Sequence, residues 1–328
     1  MNTPQPLRVG LIGVGGHARQ ILIPAMMQVP DVLEMVVLAT SREETARQMG
    51  ARYRLPAVVG HEPVINNSAV EAVIIASNRD HERIALDALA AGKHVFTETP
   101  GISTRAGAAS IRQMARERGL VYQVGYCLRH APVYQKLRRL LNESRQATPG
   151  SRTISVRYYP YIGHFQNLLL YLGGDITHAL AVQHADRSGA VALYRFANGD
   201  LGSITWCGFR NVALVYESVE VLHPVGRLLA EDGRSLRFDR MESGRHPYAM
   251  DFELPEAQVF QPTFSLPYGP LEQLSLRGYT PELADFARCV REGGTPLCGV
   301  DDAEQSLLVA QAADASAKAG GQWMEVAR

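Results

Sequence analysis

The feature that most limits how this chain can fold is a six-residue turn, Gly13-Val14-Gly15-Gly16-His17-Ala18, set directly after the apolar run Leu7–Ile12. Its Gly-x-Gly-x-x-Ala spacing puts small residues where a strand must turn sharply into a helix against an anion. Gly13 permits the tight turn, and Gly15 lets the backbone approach the bound group. Gly16 and His17 complete the loop, and the small Ala18 allows close packing of helix on strand. The N–H groups at the start of that helix face the anion without needing a charged side chain. Alone such a turn is a weak signal. At the first strand–helix junction of a βαβ unit it predicts a dinucleotide site.

The rest of the first 126 residues supplies that unit. Strands are predicted over Leu7–Ile12, Leu33–Thr40, Ala57–Gly60, Val70–Ser77, His94–Glu98 and Val121–Tyr126. Helices lie between them, most clearly over His81–Ala91 and Ser103–Arg118, and Gly92 and Gly119 suit left-handed caps. Continuous apolar strands alternating with helices call for a parallel sheet covered on both faces. After Tyr126 the pattern changes. A helix over Ala131–Glu143 leads into longer strands at Arg152–Tyr159, Ala190–Phe196, Leu201–Phe209 and Val215–Leu222. Asn198-Gly199 marks a hairpin, and Asp232-Gly233 marks another turn. Helices over Pro281–Glu292 and Asp302–Ala317 and a short strand near Trp323–Val326 follow. The expected fold is α/β: a Rossmann parallel sheet over residues 1–126, then an α+β domain over 127–328 with a largely antiparallel open sheet.

Charge and composition narrow the partners. Lys plus Arg and Asp plus Glu both total 33, so the net charge is zero. That balance argues against nucleic acid or an anionic membrane, which draw on excess basic charge. Cys127, Cys207, Cys289 and Cys298 form no Cys-x-x-Cys, and the histidines show no ligand spacing, so no metal site is expected. No apolar run approaches the roughly 20 residues of a membrane span. Met1–Pro6 carries no basic-then-apolar leader, and the expected location is the cytoplasm.

The end of the second strand bears on which dinucleotide is bound. NAD sites usually carry an acid there for the ribose 2′-hydroxyl. This chain reads Ala39-Thr40-Ser41-Arg42, with hydroxyls and a guanidinium suited to a 2′-phosphate. Ser41 and Arg42 therefore favour NADP(H) over NAD(H), although Glu43 and Glu44 follow closely. The other reading of the pair is a helix cap at Ser41 and a solvated Arg42.

Further along, Ala72-Val73-Ile74-Ile75-Ala76-Ser77-Asn78-Arg79-Asp80-His81 leads to Ala88-Leu89-Ala90-Ala91-Gly92-Lys93-His94-Val95-Phe96-Thr97-Glu98-Thr99-Pro100. This resembles the glucose–fructose oxidoreductase / inositol dehydrogenase / MocA family. Val124–Pro132, Phe196–Gly199, Leu201–Ile204 and Tyr279–Leu283 with Phe286 resemble its second-domain entry, sheet hairpin and C-terminal helix. The resemblance implies hydride transfer between a nicotinamide dinucleotide and a sugar, polyol or related small carbonyl. It also implies a homo-oligomer, dimer or tetramer, joined through the C-terminal sheet. Ser77, Asn78, His81, Glu98 and Pro100 match positions that line the cofactor.

The resemblance breaks at Thr99. The family carries a lysine there, close to the substrate hydroxyl. Thr can donate a hydrogen bond but brings no charge. The implied acid/base then passes to His178, oriented by Asp175 in Gly173-Gly174-Asp175-Ile176-Thr177-His178, if a helix puts both on one face. The bland alternative is a cap at Asp175 and a core histidine. Arg129 resembles a substrate-lining arginine, with a surface ion pair as the alternative. Tyr161, His164, Gln166 and Asn167 are candidates for polyol contacts. The stretch Ala179–Ser188 runs almost straight into the next strand, so a trimmed sheet edge is expected. Besides a reductase acting on a carbonyl or imine, two other functions fit. One is an NAD-dependent glycoside hydrolase or lyase with transient oxidation. The other is a catalytically silent NADP(H)-binding sensor.

Overall fold

A computed structural model describes residues 5–77, 79–159, 163–208, 216–224, 226–240, 257–262 and 272–327. The first segment contains β1 (Leu7–Ile12), a helical stretch ending in α1 (Ile23–Met27), β2 (Leu33–Thr40), α2 (Glu43–Tyr53), β3 (Ala57–Val59) and α3 (Glu62–Ile65). It continues with β4 (Ala72–Ile75), α4 (His81–Ala90), β5 (His94–Thr97), α5 (Arg105–Arg118) and β6 (Tyr122–Val124). The middle segment holds α6 (Pro132–Ala147), β7 (Thr153–Tyr159), α7 (Gly163–Gly173), β8 (Ile176–Gln183), β9 (Gly189–Phe196), β10 (Leu201–Cys207) and β11 (Tyr216–His223). β12 (Gly226–Glu231), β13 (Ser235–Arg240) and β14 (Ala257–Phe260) complete it, followed by α8 (Glu272–Leu276), α9 (Tyr279–Glu292), α10 (Val300–Lys318) and β15 (Met324–Glu325).

The chain divides into two compact units, Met1–His130 with Gly269–Leu307, and Ala131–Tyr268 with Leu308–Arg328. The expected break at Tyr126 lies near the end of the first segment. A single break point cannot express the return of α8 and α9 to the first unit.

In the first unit six parallel strands run in the order β3-β2-β1-β4-β5-β6. Strand order reverses between β1 and β4, so the loops after these two strands diverge and open a crevice at their C-terminal ends. Leu7, Val9 and Leu11 of β1 and all of β4 are fully buried, as strands covered on both faces must be. One side packs Leu22, Leu38, Phe96, Leu283 and Phe286 together, so α9 belongs to this core. Thr104 caps α5 by accepting from the Gly107 N–H, and Gly119 ends it at φ +64°. The expected strand and helix positions here agree with the structure to within a few residues.

In the second unit nine strands run β14-β13-β12-β11-β7-β10-β9-β8-β15, antiparallel except for β10 against β7. One face is covered: Tyr158 of β7 stacks on Phe165 of α7 at 4.3 Å, and Ile154, Val156, Tyr194 and Val221 are buried with it. The register brings Arg195, Leu201, Thr153 and Leu222 into one row on the other face, with Leu193, Ser203 and Ser155 beside them. Val191, Leu193, Leu201 and Leu222 are exposed there.

Two expectations for this unit change. Residues 176–183 are a strand, not part of a helix, because Gly174 at φ +92° stops α7 and the β-branched Ile176 and Thr177 favour extension. The stretch read as a trimmed edge is the hairpin from β8 to β9, and β15 pairs outside β8.

Candidate functional site

The crevice at the reversal point is a cleft of about 750 Å³. The end of β1 and its turn line it through Ile12, Gly13, Val14 and Gly15. The β2 tip adds Ala39, Thr40, Ser41 and Arg42, β3 adds Gly60 and His61, and the β4 turn adds Ala76 and Ser77. Each glycine of the turn does a different job. At Gly13, φ is +97°, and an added Cβ would lie 2.6 Å from Ser77 N and 2.7 Å from Ala76 C and O. Only glycine lets β1 turn beside the β4 loop. Added Cβ atoms at Gly15 and Gly16 would meet nothing within 4 Å, so the space over the loop is open for a ligand to touch the backbone. Ala18 is buried, as close helix–strand packing requires.

The charge of the lining is one-sided. Arg19, Arg42, Arg79 and Arg83 line the cleft, against one acid, Asp80. Glu43 and Glu44 are not among the lining residues, and Glu44 instead accepts from the Gln48 amide at 3.2 Å. Thr40 spends its hydroxyl on the Arg42 carbonyl at 2.8 Å, holding the tip in shape. Ser41 does not cap α2: the cap position is Arg42, whose side chain makes no capping bond. Serine and guanidinium therefore both remain at the cleft. These residues would suit a dinucleotide: the open glycine loop would admit a diphosphate, and the lining guanidiniums would meet its negative charge.

Beside the turn lies a polar cluster that runs from the exposed His17 to the buried Glu98 and Glu282. His17 Nε2 meets Glu98 Oε1 at 3.1 Å, and its ring edge meets Tyr279 with centroids 5.8 Å apart. The Glu98 hydrogen bond raises the His17 pKa, against an opposing effect of burial. Glu282 of α9 is fully buried, and neither carboxyl oxygen has a hydrogen-bond partner among the described residues. Burial first, then the proximity of Glu98, pushes its pKa well above the ordinary carboxyl value, disfavouring the charged form. Burial likewise raises the Cys127 thiol, and Cys127 in turn raises the Tyr279 hydroxyl.

The other expected site residues are dispersed. His81 Nε2 bonds the Ser77 carbonyl and so braces the β4 turn. Thr99 is half-buried and Pro100 exposed in the turn after β5. Asn78 and Tyr161 lie outside the described residues. Arg129 is neither a surface ion pair nor a lining residue of this cleft. It is 5% exposed, with Nη1 on Asp302 Oδ1 at 2.6 Å and on the Leu297 carbonyl at 3.1 Å.

In the second unit Asp175 and His178 do not share a helix face. Asp175 is exposed in the turn after Gly174, while His178 pairs with Arg195 on the uncovered sheet face and meets Thr177 Oγ1 at 3.1 Å. His164 and Asn167 do lie one turn apart on a helix, α7, with His164 half-buried and Asn167 fully buried. Gln166 donates to the Tyr194 hydroxyl at 3.3 Å.

Sequence reasoning missed Arg19, Arg79, Arg83 and His61 as cleft residues and Glu282 as a buried acid. Arg79 stands inside the quoted Ser77–His81 run and Arg83 just beyond it, so position in the β4–α4 turn could have signalled both. Nothing local signals His61 or Glu282. Among the described residues there is no group of three metal-ligating side chains, and no helix is long and apolar enough to cross a membrane.

Residues 7–126 match the model of the Gfo/Idh/MocA oxidoreductase family, described as an NAD-binding Rossmann fold. Over that segment, the six strands of the first unit, the chain is similar to this family. The matched segment covers β1 to β6 and therefore the whole glycine turn and β2 tip. A Streptomyces antibioticus dTDP-3,4-didehydro-2,6-dideoxy-alpha-D-glucose 3-reductase is 29% identical over 56% of this chain and 62% of its own length. An inositol 2-dehydrogenase of Acidothermus cellulolyticus is 31% identical over 45% of this chain and 44% of its own. The matched region thus spans less than two thirds of either relative. Levoglucosan dehydrogenase, solved with NADH and L-sorbose, superposes with a TM-score of 0.81 at 20% identity, covering 99% of this chain and 100% of that one. That likeness shows the fold alone.

Proposed function

We propose that the protein is an NADP(H)-dependent oxidoreductase acting on a sugar, polyol or similar small carbonyl compound. The observation that carries this reading is the cleft itself: an open glycine loop at the strand-order reversal, with four lining arginines against one acid. The Gfo/Idh/MocA relatives named for a dTDP-linked sugar and for inositol support the substrate class.

When bound, the nicotinamide supplies or takes up the hydride. The chain must then place the substrate and move one proton at its oxygen. Thr99 offers a hydrogen bond without charge. For the proton we favour His164 over His178. Asn167 stands one helical turn from His164, the same-face geometry that Asp175 and His178 lack. His164 exchanges the proton with the substrate hydroxyl, and Asn167 orients it.

The cofactor reading is tested by titrating NADPH and NADH into the wild type and Arg42→Ala. The expected result is tighter NADPH binding, weakened about tenfold in the variant, roughly 1.4 kcal/mol; tighter NADH binding in the wild type overturns it. For the chemistry, turnover with a panel of ketosugars should vanish in His164→Gln and persist in His178→Gln, and the opposite pattern returns the role to His178. NADPH binding with no turnover on any sugar or polyol favours the sensor reading, to which the uncharged Thr99 already lends support.

The uncovered face of the second sheet supports self-association. Exposed Val191, Leu193, Leu201 and Leu222 stand together on it, an apolar surface of the kind that marks interfaces. Light scattering should show a dimer or tetramer that Leu193→Glu breaks; a monomeric wild type refutes this.

A further inference from the structure

The proposed NADP(H) preference rests so far on the β2 tip, but the cleft contains a second cation held at the same end by an independent device. The Gly60 N–H donates to the Thr40 carbonyl at 3.0 Å, which fixes the end of β3 beside the β2 tip. His61, the next residue, therefore stands next to Thr40–Arg42, and all of these residues line the cleft. His61 Nε2 lies 3.2 Å from Asp87 Oδ2 of α4, and Arg83 Nη1 donates to that same oxygen at 3.3 Å. One carboxylate oxygen thus joins the β3 end to the Arg83 guanidinium. Arg83 is thereby linked through Asp87 and His61 to the β3 end that is held beside the β2 tip, and Arg83 and Arg42 both line the cleft.

The surrounding charges leave Arg83 able to bind. Asp80 lies 3.8 Å from Nη2, which is an ion pair but not a hydrogen bond, and Glu62 lies 3.7 Å from His61. The Arg83 side chain is 58% exposed. A guanidinium carries five N–H donors in a fixed fork, and Asp87 takes one of them. The remaining donors can meet a phosphate, the group that planar guanidinium recognition suits best. A simple helix-surface pair at i,i+4 would not need the buried His61 to share its carboxylate oxygen.

We propose that Arg83 is a second specificity-determining residue for the 2′-phosphate, gripping it together with Arg42, and that Asp87 and His61 are the positioning residues that hold it there. This rests on the NADP(H) reading and deepens it. It also implies that the phosphate is held by two elements, the β2 tip and α4, so that a cofactor lacking it leaves Arg83 on its carboxylates.

The probe is adenosine 2′,5′-bisphosphate against 5′-AMP, measured by calorimetry on the full chain. The wild type should bind the bisphosphate at least tenfold more tightly. Arg83→Gln should remove about tenfold of that preference while leaving 5′-AMP within about twofold. Arg83→Lys should restore part of it, because it keeps the charge and loses the fork. Steeper salt dependence for the bisphosphate than for 5′-AMP should flatten in Arg83→Gln. A wild type that shows no preference overturns the cofactor reading and the inference with it. A preference that persists in Arg83→Gln overturns the inference alone, as does an equal loss for both ligands, which would make Arg83 an adenosine support. Asp87→Asn is not a clean test, since it loosens Arg83 but also removes a repelling charge.

Discussion

Alanine at Gly13 and at Gly15 should separate the two roles of the glycine turn. At Gly13 the backbone sits at φ +97°, a left-handed region that costs a residue with a Cβ roughly 1–2 kcal/mol. The new Cβ would also lie 2.6 Å from Ser77 N and 2.7 Å from Ala76 C and O. These are backbone atoms at the end of a buried strand and cannot swing aside as a side chain would. Overpacking of that kind costs about 1–3 kcal/mol. Gly13→Ala should therefore lose about 2–5 kcal/mol. At Gly15 neither term exists, since no atom lies within 4 Å of an added Cβ and φ is not left-handed. Gly15→Ala should keep the wild-type stability to within about 0.5 kcal/mol. Its Cβ instead occupies the space a diphosphate needs, so NADPH affinity should fall more than tenfold, about 1.4 kcal/mol or more. Urea denaturation and NADPH fluorescence titration on the same samples measure both quantities. A Gly13→Ala protein as stable as the wild type would refute the steric argument. A Gly15→Ala protein that binds NADPH normally would remove the cofactor from the glycine loop.

Two further outcomes concern the polar cluster beside the turn. The His17 pKa is raised by Glu98, so the folded state binds more protons than the unfolded one. That contribution is complete below the ordinary value of 6.5 and is lost as pH rises through the raised value. Glu98→Gln should abolish this part of the pH dependence in denaturation curves and lower the His17 titration seen by NMR; an unchanged His17 titration sinks the pairing. Glu282 obeys the same sign for a different reason. Its folded pKa lies well above the ordinary 4.5 of the unfolded chain, so it weakens folding increasingly as pH rises above that value. Glu282→Gln, the neutral isostere, should match or exceed the wild type at pH 8 and show a flatter decline. A loss of several kcal/mol at pH 8 would mean that the ionised carboxylate is needed.

How much was legible in the sequence depended on whether a signal was local. Strands β1 and β2 match expectation because a strand buried on both faces writes itself as an unbroken apolar run. Gly119 placed the C-terminal end of α5 closely. The segment around Asp175 and His178 misled because Gly173-Gly174 stands between a helix and a strand, and the family spacing was read across it as one helix. What distinguishes the strand is pairing with β9 and β15, which local periodicity does not record. The same limit applies to the site. Gly13, Gly15, Ser41 and Arg42 are contiguous with strand ends and could be read directly. His61 and Glu282 acquire their meaning from Asp87 and Glu98, 26 and 184 residues away in the chain (87 − 61 and 282 − 98), and Arg83 from its link through Asp87 to His61. Arg129 likewise has partners distant in sequence, Asp302 and Leu297, that its family position does not record.

The absence of a lysine at position 99 has a local counterpart that a motif comparison alone does not reveal. Thr99 brings no charge beside Glu98, yet Glu98 has a cation-forming partner in His17 at 3.1 Å. That partner comes from the glycine loop, not from the turn after β5. The carboxyl is therefore tied to the glycine turn, and its proximity, after burial, raises the pKa of Glu282. Under the proposed oxidoreductase reading Thr99 brings no charge to a proton transfer, and His164→Gln is the substitution that tests the proposed proton donor.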